Sequence, residues 1–337
     1  MKKRVTMQDI ADRLNISKNS VSQALRGKEG VSEETRELVK RTAKEMGYEY
    51  PASRAKSRGK PPRQIALIAS DRTFSLKFFG EIYLSIEQEA LSHGMKLHIQ
   101  SVNNEQKERL LLPSFIEEKQ VDGVIVLSHI STEYIQQIVK TGIPTVLVDH
   151  HHPNIQADAV LTNNRFGAYV AVQHLLELHH TDIAFVGDVH YSPSYQERYE
   201  GYLLALKDYG VKPNEEWMFC QAQEDETVIA GYIRELKRQP TAWFCVNDGL
   251  GFFVSTSLQR YGLNVPDDVS VCSFDNGQLS QIATPKITTV DIDLKRYGKR
   301  AVELLRWRWD NPNEPFQEVL LSTKLIKRES TAAKPTR

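Results

Sequence analysis

The chain has 337 residues, 40 % of them hydrophobic, and it contains 43 basic and 43 acidic residues. That length allows a sizeable core and roughly two or three domains. The basic start MKKRV precedes no apolar run, and no segment approaches the ~18 consecutive apolar residues of a membrane span, so we expect a cytoplasmic protein with no membrane partner.

Although the net charge is zero, the charged residues are distributed unevenly along the chain. Residues 1–60 contain 15 Lys and Arg against 8 Asp and Glu, whereas the remaining residues contain 28 against 35. A basic segment of this kind is suited to bind a polyanion. The whole-chain charge therefore says nothing about partners, while the charge of the first 60 residues favours a nucleic acid.

The segment TMQDIADRLNISKNSVSQAL, from Thr6 to Leu25, has the pattern of two short helices separated by a turn. Thr6 and Ser17 are placed to cap the two helices, and Asn15-Ile16 interrupts the run between them. The residues predicted to face inward are Ile10, Ala11, Leu14, Val21, Ala24 and Leu25. The opposite face of the second helix is entirely polar and consists of Lys18, Asn19, Ser22, Gln23 and Arg26.

A third helix is predicted from Ser32 to Gly47, with Glu33 and Glu34 in its first turn, where the helix dipole favours anions. Three short helices can close one small core. The arrangement fits an ordinary helical subdomain, but the basic charge of the segment favours a DNA-binding helix-turn-helix.

The sequence VTMQDIADRLNISKNSVSQAL, followed by VSEETRELV and MGY, closely resembles the DNA-binding headpiece of the lactose-repressor/galactose-repressor (LacI/GalR) family of bacterial regulators. The resemblance implies an operator of double-stranded DNA. It places Lys18, Asn19 and Gln23 toward the bases, with Ser22 on the same face. The residues that it places near phosphates are Thr6, Ser17, Arg26 and Lys28.

Gln23 departs from the family pattern, which has an arginine at this position. An arginine can bind the O6 and N7 atoms of guanine, whereas glutamine fits the N6 and N7 atoms of adenine. We therefore expect this protein to read a different base from the family's usual operator at the contacted position.

Residues 51–63, PASRAKSRGKPPR, contain five basic and no acidic residues and form the predicted hinge or linker. Family hinges usually insert a leucine into the minor groove, but Lys56, Ser57 and Arg58 stand in that neighbourhood here. With Arg54, these side chains are predicted to lie along a narrow groove by electrostatic attraction.

From Ile65 onward, short apolar runs alternate with amphipathic ones, which predicts βαβ units and mostly parallel sheets. The expected fold is a small all-α headpiece followed by an α/β core of two doubly wound lobes, like that of periplasmic binding proteins. Residues 159–164 are interpreted as an extended bridge between the lobes. The predicted DNA-binding headpiece spans residues 1–50, and the hinge or linker spans 51–63. The N-terminal effector-binding lobe comprises 64–161 with 291–322, the C-terminal lobe comprises 162–290 with 323–330, and a polar tail follows at 331–337.

Polar residues that follow the predicted strands should converge, because ligands of open α/β sheets bind beyond the carboxyl ends of the strands. Asp149, Asn247 and Asp275 follow three such strands, and Arg198 lies in the helix after a fourth. Carboxylates, an amide and a guanidinium offer paired hydrogen bonds to vicinal hydroxyls, so a sugar or polyol is the expected ligand. Each residue could instead only cap a helix.

The family resemblance adds that these four residues occur where sugar-responsive members bind their effector. Asp71, Phe79 and Asn164 are weaker candidates for the rest of the pocket wall. Some members have an aromatic platform after the strand near Phe219, where this chain reads QAQEDET. The stacking surface must then come from elsewhere, or the ligand is not a pyranose.

Catalysis and metal binding are not expected. The chain has no GxSxG, GxxxxGK or complete GxGxxG motif, so we predict neither an enzyme nor a cofactor. The run His150-His151-His152, like His179-His180, lacks tetrahedral spacing and is interpreted as a solvated loop. The isolated Cys220, Cys245 and Cys272 are expected to be buried thiols.

A single recognition helix reads few base pairs, so we expect a homodimer on a pseudo-palindromic operator. The family resemblance implies a repressor whose operator affinity changes when an effector closes the cleft. The alternatives left open are an activator or a corepressor-dependent regulator with a sugar-receptor-like core. The helix from Leu294 to Trp309 has one apolar face, for which core packing is the commoner role.

Overall fold

The computed structural model describes residues 5–26, 30–46, 48, 61–71, 77–127 and 130–334. The chain divides into two compact units, Met1–Pro62 and Arg63–Arg337. No helix in the described part is both long and apolar enough to cross a membrane.

The first unit contains three helices, α1 (Met7–Leu14), α2 (Lys18–Arg26) and α3 (Glu33–Glu45). Thr6 caps α1 in a capping box with Asp9, and the C-cap residue Asn15 has a left-handed φ of 52°. Asparagine tolerates that conformation better than most residues. The buried side chains at the centre of the unit are Ile10, Ala11, Val21, Ala24, Val39 and Ala43.

The first sheet of the second unit defines lobe 1, and all of its strand pairs are parallel. Its strand order is β11-β5-β4-β3-β1-β2. The strands are β1 (Gln64–Ser70), β2 (Lys96–Val102), β3 (Gly123–Leu127), β4 (Thr145–Val148), β5 (Asp158–Thr162) and β11 (Glu318–Leu321). The central strands are buried along their whole length, as parallel strands covered on both faces must be.

The second sheet defines lobe 2 and has the order β12-β10-β9-β8-β6-β7. Only the edge pair of β12 with β10 is antiparallel among the described pairs. The strands are β6 (Ile183–Val186), β7 (Met218–Phe219), β8 (Ala242–Cys245), β9 (Ser270–Asp275), β10 (Thr288–Asp291) and β12 (Lys324–Ile326). The fold class predicted from the sequence is confirmed.

Helices cover both sheets. Those that belong mainly to lobe 1 are α4 (Lys77–Ser92), α5 (Asn104–Glu108), α6 (Ser114–Glu117), α7 (Thr132–Lys140) and α13 (Leu294–Asp310). Those of lobe 2 are α8 (Asn164–Glu177), α9 (Pro193–Asp208), α10 (Glu226–Glu235), α11 (Asp248–Arg260) and α12 (Gln278–Ile282).

The chain crosses between the lobes three times in the described residues, from β5 to α8, from β10 to α13, and from β11 to β12. One expectation differs: the sequence predicts an extended bridge at residues 159–164, but Asp158–Thr162 is a fully buried strand paired with β4 and β11. The bridge itself is short, because α8 begins at Asn164.

Helix α13 packs closely on α4, and its apolar face belongs to the core of lobe 1. Tyr297, Ala301 and Leu305 are fully buried. Gly298 permits the close approach, because a Cβ atom there would lie 2.6 Å from the carbonyl oxygen of Ile82. The helix is therefore a core element, in keeping with the commoner role predicted for its apolar face.

Candidate functional sites

Helix α2 presents a polar face opposite its buried residues. Lys18 and Asn19 are exposed, and Ser22 and Gln23 are half-buried. Val21 on the other face is fully buried in the three-helix core. The core thus fixes the orientation of the helix, and its outer surface carries donors and acceptors suited to base edges.

Thr6 and Ser17 both act as local caps. The Thr6 hydroxyl lies 2.7 Å from a carboxylate oxygen of Asp9, and the Ser17 hydroxyl accepts a 3.0 Å hydrogen bond from the amide of Ser20. The phosphate-binding role of these two residues stays a prediction. Lys28, Arg54, Lys56, Ser57 and Arg58 lie outside the described residues, as does the side chain of Arg26.

Between the two lobes lies a cavity of about 840 Å³, here called the inner pocket. Phe79 and Asp149 reach it from lobe 1, and Arg198, Asn247 and Asp275 reach it from lobe 2. All five are among the effector-binding residues that the sequence predicts. They meet because the carboxyl ends of the strands of both sheets face this cleft.

Arg198 is the centre of a hydrogen-bond network and is only 3 % exposed. Its guanidinium donates to the side-chain oxygen of Asn164 at 2.9 Å and to the carbonyl oxygen of Val246 at 2.6 Å. It also lies 2.9 Å from Asp275 and stacks 3.8 Å from the ring centroid of Phe274. These contacts hold the planar group in one orientation at the pocket wall.

Asp149 and Asn247 are positioned by the backbone at the ends of β4 and β8. Asp149 has a φ of 56°, its side chain is buried, and the hydroxyl of Tyr297 lies 3.4 Å from one of its oxygens. Asn247 caps α11 by accepting from the amide of Leu250 at 2.8 Å. Asn247 therefore does cap a helix, which is the role expected if it did not bind a ligand. Its amide nitrogen nevertheless donates to the hydroxyl of Tyr195, another residue that lines the inner pocket, at 2.6 Å.

The carboxylates on the lobe 2 side are strongly desolvated. Burial raises the pKa of Asp275 above its ordinary value, Arg198 opposes the rise, and Asp248 and Asp149 add to it. Burial likewise raises the pKa of Asp248, although hydrogen bonds from Ser273 and Thr289 favour its charged form. A ligand that donates hydrogen bonds would relieve the mutual repulsion of these groups.

Asp71 and Asn164 do not line the inner pocket. Asp71 lines a neighbouring cavity, and Asn164 lies behind Arg198, where it also donates to Glu197 at 2.9 Å. The expectation that Asn164 forms part of the pocket wall is corrected here: its side chain is 98 % buried and orients Arg198. Whether Asn164 lines the pocket or lies behind Arg198 depends on the packing of α8 against α9, and a local sequence pattern does not show that packing.

Several residues of the inner pocket are not predicted by the sequence patterns, among them Tyr191, Tyr195 and Glu224. Tyr195 could have been found, because it lies three residues before Arg198 on one helix face. Together with Phe79, the tyrosines provide the aromatic surface that the sequence does not place near Phe219. Glu224 packs over Gly249, where a Cβ atom would collide with its carboxylate.

The interpretation of the histidine run as a solvated loop is wrong for two of its members. His150 is 6 % exposed, and burial lowers its pKa to about 4. His151 lies between Glu197 and Glu318, whose hydrogen bonds and charges raise its pKa to about 9 despite burial. His152 is exposed. The loop is packed against both lobes, so its histidines differ in environment although they are adjacent in sequence.

The pair His179-His180 also contains a buried histidine. His180 is fully buried and bonded to Thr241 at 3.0 Å and to the carbonyl oxygen of Ala332 at 2.9 Å. Among the described residues, no group of three His, Cys, Asp or Glu side chains is arranged to hold a metal ion. Cys245 and Cys272 are buried thiols, and Cys220 is half-buried.

Comparisons with known proteins agree with this geometry. Residues 6–50 match the family described as bacterial regulatory proteins, lacI family, and residues 172–331 match the periplasmic binding protein-like domain. The regulator NtdR of the NTD biosynthesis operon of Bacillus subtilis is 31 % identical over 97 % of this chain and 99 % of its own length.

The transcriptional repressor PurR of Vibrio campbellii is 30 % identical over 89 % of this chain and 90 % of its own length. The structure of the transcriptional regulator CelR in complex with cellobiose is similar, with a TM-score of 0.71 and 26 % identity, covering 97 % of this chain and all of that chain. The chain therefore belongs to the LacI family of bacterial regulatory proteins, and it is a DNA-binding transcriptional regulator, not an enzyme.

Proposed function

We propose that this protein is a transcriptional repressor that binds a pseudo-palindromic operator as a homodimer and leaves it when a sugar-like effector occupies the inner pocket. One observation carries the effector part of the proposal: Asp149, Arg198, Asn247 and Asp275 meet in one interlobe cavity. Residues from two lobes can bind the same small molecule only in one range of lobe orientations. Effector binding would therefore select one arrangement of the lobes.

A hydroxylated ring suits the inner pocket better than an apolar ligand does. The carboxylates of Asp149 and Asp275 can accept from hydroxyl groups, and the guanidinium of Arg198 can donate to ring and hydroxyl oxygens. The aromatic faces of Phe79 and Tyr195 can cover the apolar side of a ring. The similar regulator CelR has been observed with cellobiose, which supports a sugar.

DNA recognition is assigned to the polar face of α2. Lys18, Asn19 and Gln23 are proposed to contact bases, with Ser22 beside them. The residues proposed to position the phosphate backbone are Thr6, Ser17, Arg26, Lys28 and the linker residues Arg54, Lys56, Ser57 and Arg58. The basic charge of the N-terminal segment supplies the salt-dependent part of the affinity.

The proposed dimer is supported by apolar side chains that lobe 1 leaves in solvent. Leu84 and Leu91 on α4 are 50 % and 63 % exposed, and Ile99 on the edge strand β2 is 45 % exposed. Leu84 and Leu91 are separated by seven residues and share a helix face. We expect Leu84→Glu with Leu91→Glu to yield a monomer in sedimentation experiments, with operator affinity reduced by at least tenfold.

The effector can be identified by thermal melting of the full-length protein with neutral sugars, sugar phosphates, sugar acids and nucleobases. A ligand of the folded state raises the melting temperature by mass action. A randomised-duplex selection supplies the operator, and each stabilising compound is then tested for release of that duplex. If sugars neither stabilised the protein nor changed operator binding while a nucleobase did both, the sugar assignment would be wrong.

A further inference from the structure

The turn that follows β9, here called the pocket turn, consists of Asp275, Asn276 and Gly277, and all three residues line the inner pocket. Asp275 has a φ of 107° and Asn276 has a φ of 52°. Residues other than glycine rarely adopt a positive φ, and a strained one persists only where the surrounding contacts hold it. The direction of the Asp275 carboxylate therefore depends on the contacts that hold this turn.

Strand β10 and the start of α11 hold one side of the pocket turn. The amide of Asn276 donates to the hydroxyl of Thr289 at 3.2 Å, and that hydroxyl donates to the carboxylate of Asp248 at 2.7 Å. The amide of Gly277 donates to the other carboxylate oxygen of Asp248. The side-chain nitrogen of Asn276 donates to Asp291 at 2.6 Å. These bonds leave the side-chain oxygen of Asn276 for a different partner.

That partner is Arg328, which follows β12 and does not itself line the inner pocket. Its guanidinium donates to the side-chain oxygen of Asn276 and, at 2.8 Å, to the carbonyl oxygen of Ile287. A guanidinium can only donate and an ionised carboxylate can only accept. Arg328 and Asp291 together therefore allow one orientation of the amide group of Asn276.

The segment that carries Arg328 is anchored in lobe 2. Its backbone amide donates to the hydroxyl of Thr288 at 2.9 Å. Two residues later, Ser330 is fully buried, donates to the carbonyl oxygen of Val271 and accepts from the amide of Thr288 at 2.8 Å. The guanidinium of Arg328 thus extends from a fixed backbone, and its planar group reaches two acceptors in a fixed geometry.

We propose that Arg328 is a positioning residue for effector binding, which acts through Asn276 by holding the pocket turn that presents Asp275 to the inner pocket. This inference rests on the proposed function of the inner pocket. Without Arg328, the amide of Asn276 can rotate and the turn can relax. The Asp275 carboxylate then loses its alignment with Arg198, which lies 2.9 Å away. Effector affinity falls although no contact with the effector is removed.

Hydrogen–deuterium exchange of the full-length protein, without any ligand, tests the hold on the turn. Arg328→Gln should speed exchange of the Asn276 and Gly277 amides by roughly tenfold, because local opening of the turn requires less free energy. Exchange in the strands of lobe 1 should stay unchanged. Lys327→Gln is the matched control, because Lys327 is the exposed neighbour of Arg328. Equal exchange of the turn in Arg328→Gln and the wild type would overturn the proposal.

Calorimetric titration with glucose, galactose, ribose and cellobiose tests the consequence for binding. For a sugar that binds the wild type, Arg328→Gln should raise the Kd by roughly tenfold, and Lys327→Gln should leave it unchanged. Each variant is titrated well below its melting temperature, so that a loss of stability does not alter the Kd. An unchanged Kd in Arg328→Gln would restrict Arg328 to stabilising the fold and would also overturn the proposal.

A double-mutant cycle tests whether Arg328 acts through Asn276. Asn276→Gly removes the side chain while glycine accepts the left-handed backbone of this position. In the Asn276→Gly background, adding Arg328→Gln should change the Kd by less than about twofold, because two residues that act as one unit are not additive. The full loss of affinity in that background would show that Arg328 acts by another route and would contradict the proposal.

The outcomes also separate this inference from the proposed function. If none of the four sugars bound, the sugar assignment would fail, while the ligand-free exchange would still decide whether Arg328 holds the turn. If a sugar bound the wild type and Arg328→Gln equally and released the operator from both, the proposed function would stand and the role of Arg328 would be refuted.

Discussion

The imidazole of His151 in lobe 1 lies 3.2 Å from the carboxylate of Glu197 in lobe 2. Its other nitrogen lies 3.0 Å from Glu318 on β11. Glu197 accepts from Asn164, which in turn orients Arg198 in the inner pocket. A continuous set of hydrogen bonds therefore connects the contact of His151 between the lobes to Arg198 in the proposed effector site.

This contact predicts a pH-dependent stability. The pKa of His151 is raised to about 9, so its contribution is complete below its ordinary pKa of 6.5 and is lost as the pH rises through 9. The pKa of Glu197 is lowered by His151 and Asn164 although burial opposes the change, so its contribution is lost as the pH falls below its ordinary value of 4.5. The contact should be strongest between these two ordinary values.

We expect His151→Gln to lower the free energy of unfolding by about 1.5 to 3 kcal/mol in that window, the range for hydrogen bonds to charged groups. The difference from the wild type should vanish above pH 9 to 10. Chemical denaturation across the pH range measures it, and His152→Gln, at an exposed neighbour, is the control. A constant difference at all pH values would show that protonation of His151 is not involved.

Asp275→Asn should abolish the effector response while leaving operator affinity nearly unchanged. The variant keeps the shape of the side chain but removes the charge that faces Arg198 and the ligand. We expect no operator release even at an effector concentration tenfold above that for half-maximal release from the wild type, which corresponds to a loss of at least ~1.4 kcal/mol in effector-binding free energy. Fluorescence titration of a labelled operator with increasing effector measures this loss.

Arg198→Ala should lose the same response and also destabilise the protein by about 3 to 5 kcal/mol, because it leaves Asp275 buried without its counter-ion. The two variants thus separate ligand binding from folding. If either variant folded and responded at the wild-type effector concentration, that residue would not belong to the site.

The sequence predicts the inner pocket well because its residues follow buried strands. Asp149, Asn247 and Asp275 each end an apolar run, and the geometry of parallel sheets brings such ends together. The role of His151 could not be predicted in the same way. Its partners Glu197 and Glu318 are 46 and 167 positions away, and only the crossing of the chain between lobes brings them together.

Packing in the tertiary structure also determines which side chains enter the inner pocket, and local sequence patterns do not predict this. Asn164 follows a strand as Asp149 does, but packing of α8 against α9 directs it beneath Arg198 instead of into the pocket. Glu224 lies in a polar segment without periodicity, and its place in the pocket depends on Gly249 of helix α11. Sequence patterns thus locate the ends of strands, whereas side-chain partners require the tertiary structure.

Gln23→Arg should change the base preferred at one position of each half-site from adenine to guanine. Gln23 lies half-buried on the polar face of α2, which the core residue Val21 holds in place. A good bidentate contact discriminates between bases by about 1 to 3 kcal/mol. Selection from randomised duplexes measures the preference, with Lys44→Arg on α3 as a control. An unchanged preference would place Gln23 outside the groove.

The linker is where the chain departs from the family pattern, and it predicts an unusual operator. Inserting a side chain between bases costs a few kcal/mol per step, and an apolar wedge offsets that cost by its contacts with the bases. Lys56, Ser57 and Arg58 cannot form these contacts, whereas basic side chains can bind a groove that is already narrow without deforming it. We therefore expect an A·T-rich operator centre and weak bending.

Neutralising Arg54, Lys56 and Arg58 together should reduce the salt dependence of operator binding by roughly 0.9 in log–log slope for each phosphate that the linker no longer neutralises. Ser57→Leu should increase bending, because it restores an apolar wedge at this position. Circular-permutation gels measure the bend, and salt titrations measure the slope. A strong bend by the unaltered protein, with an unstacked central base step in a footprint, would show that the linker acts as the ordinary family hinge despite its basic sequence.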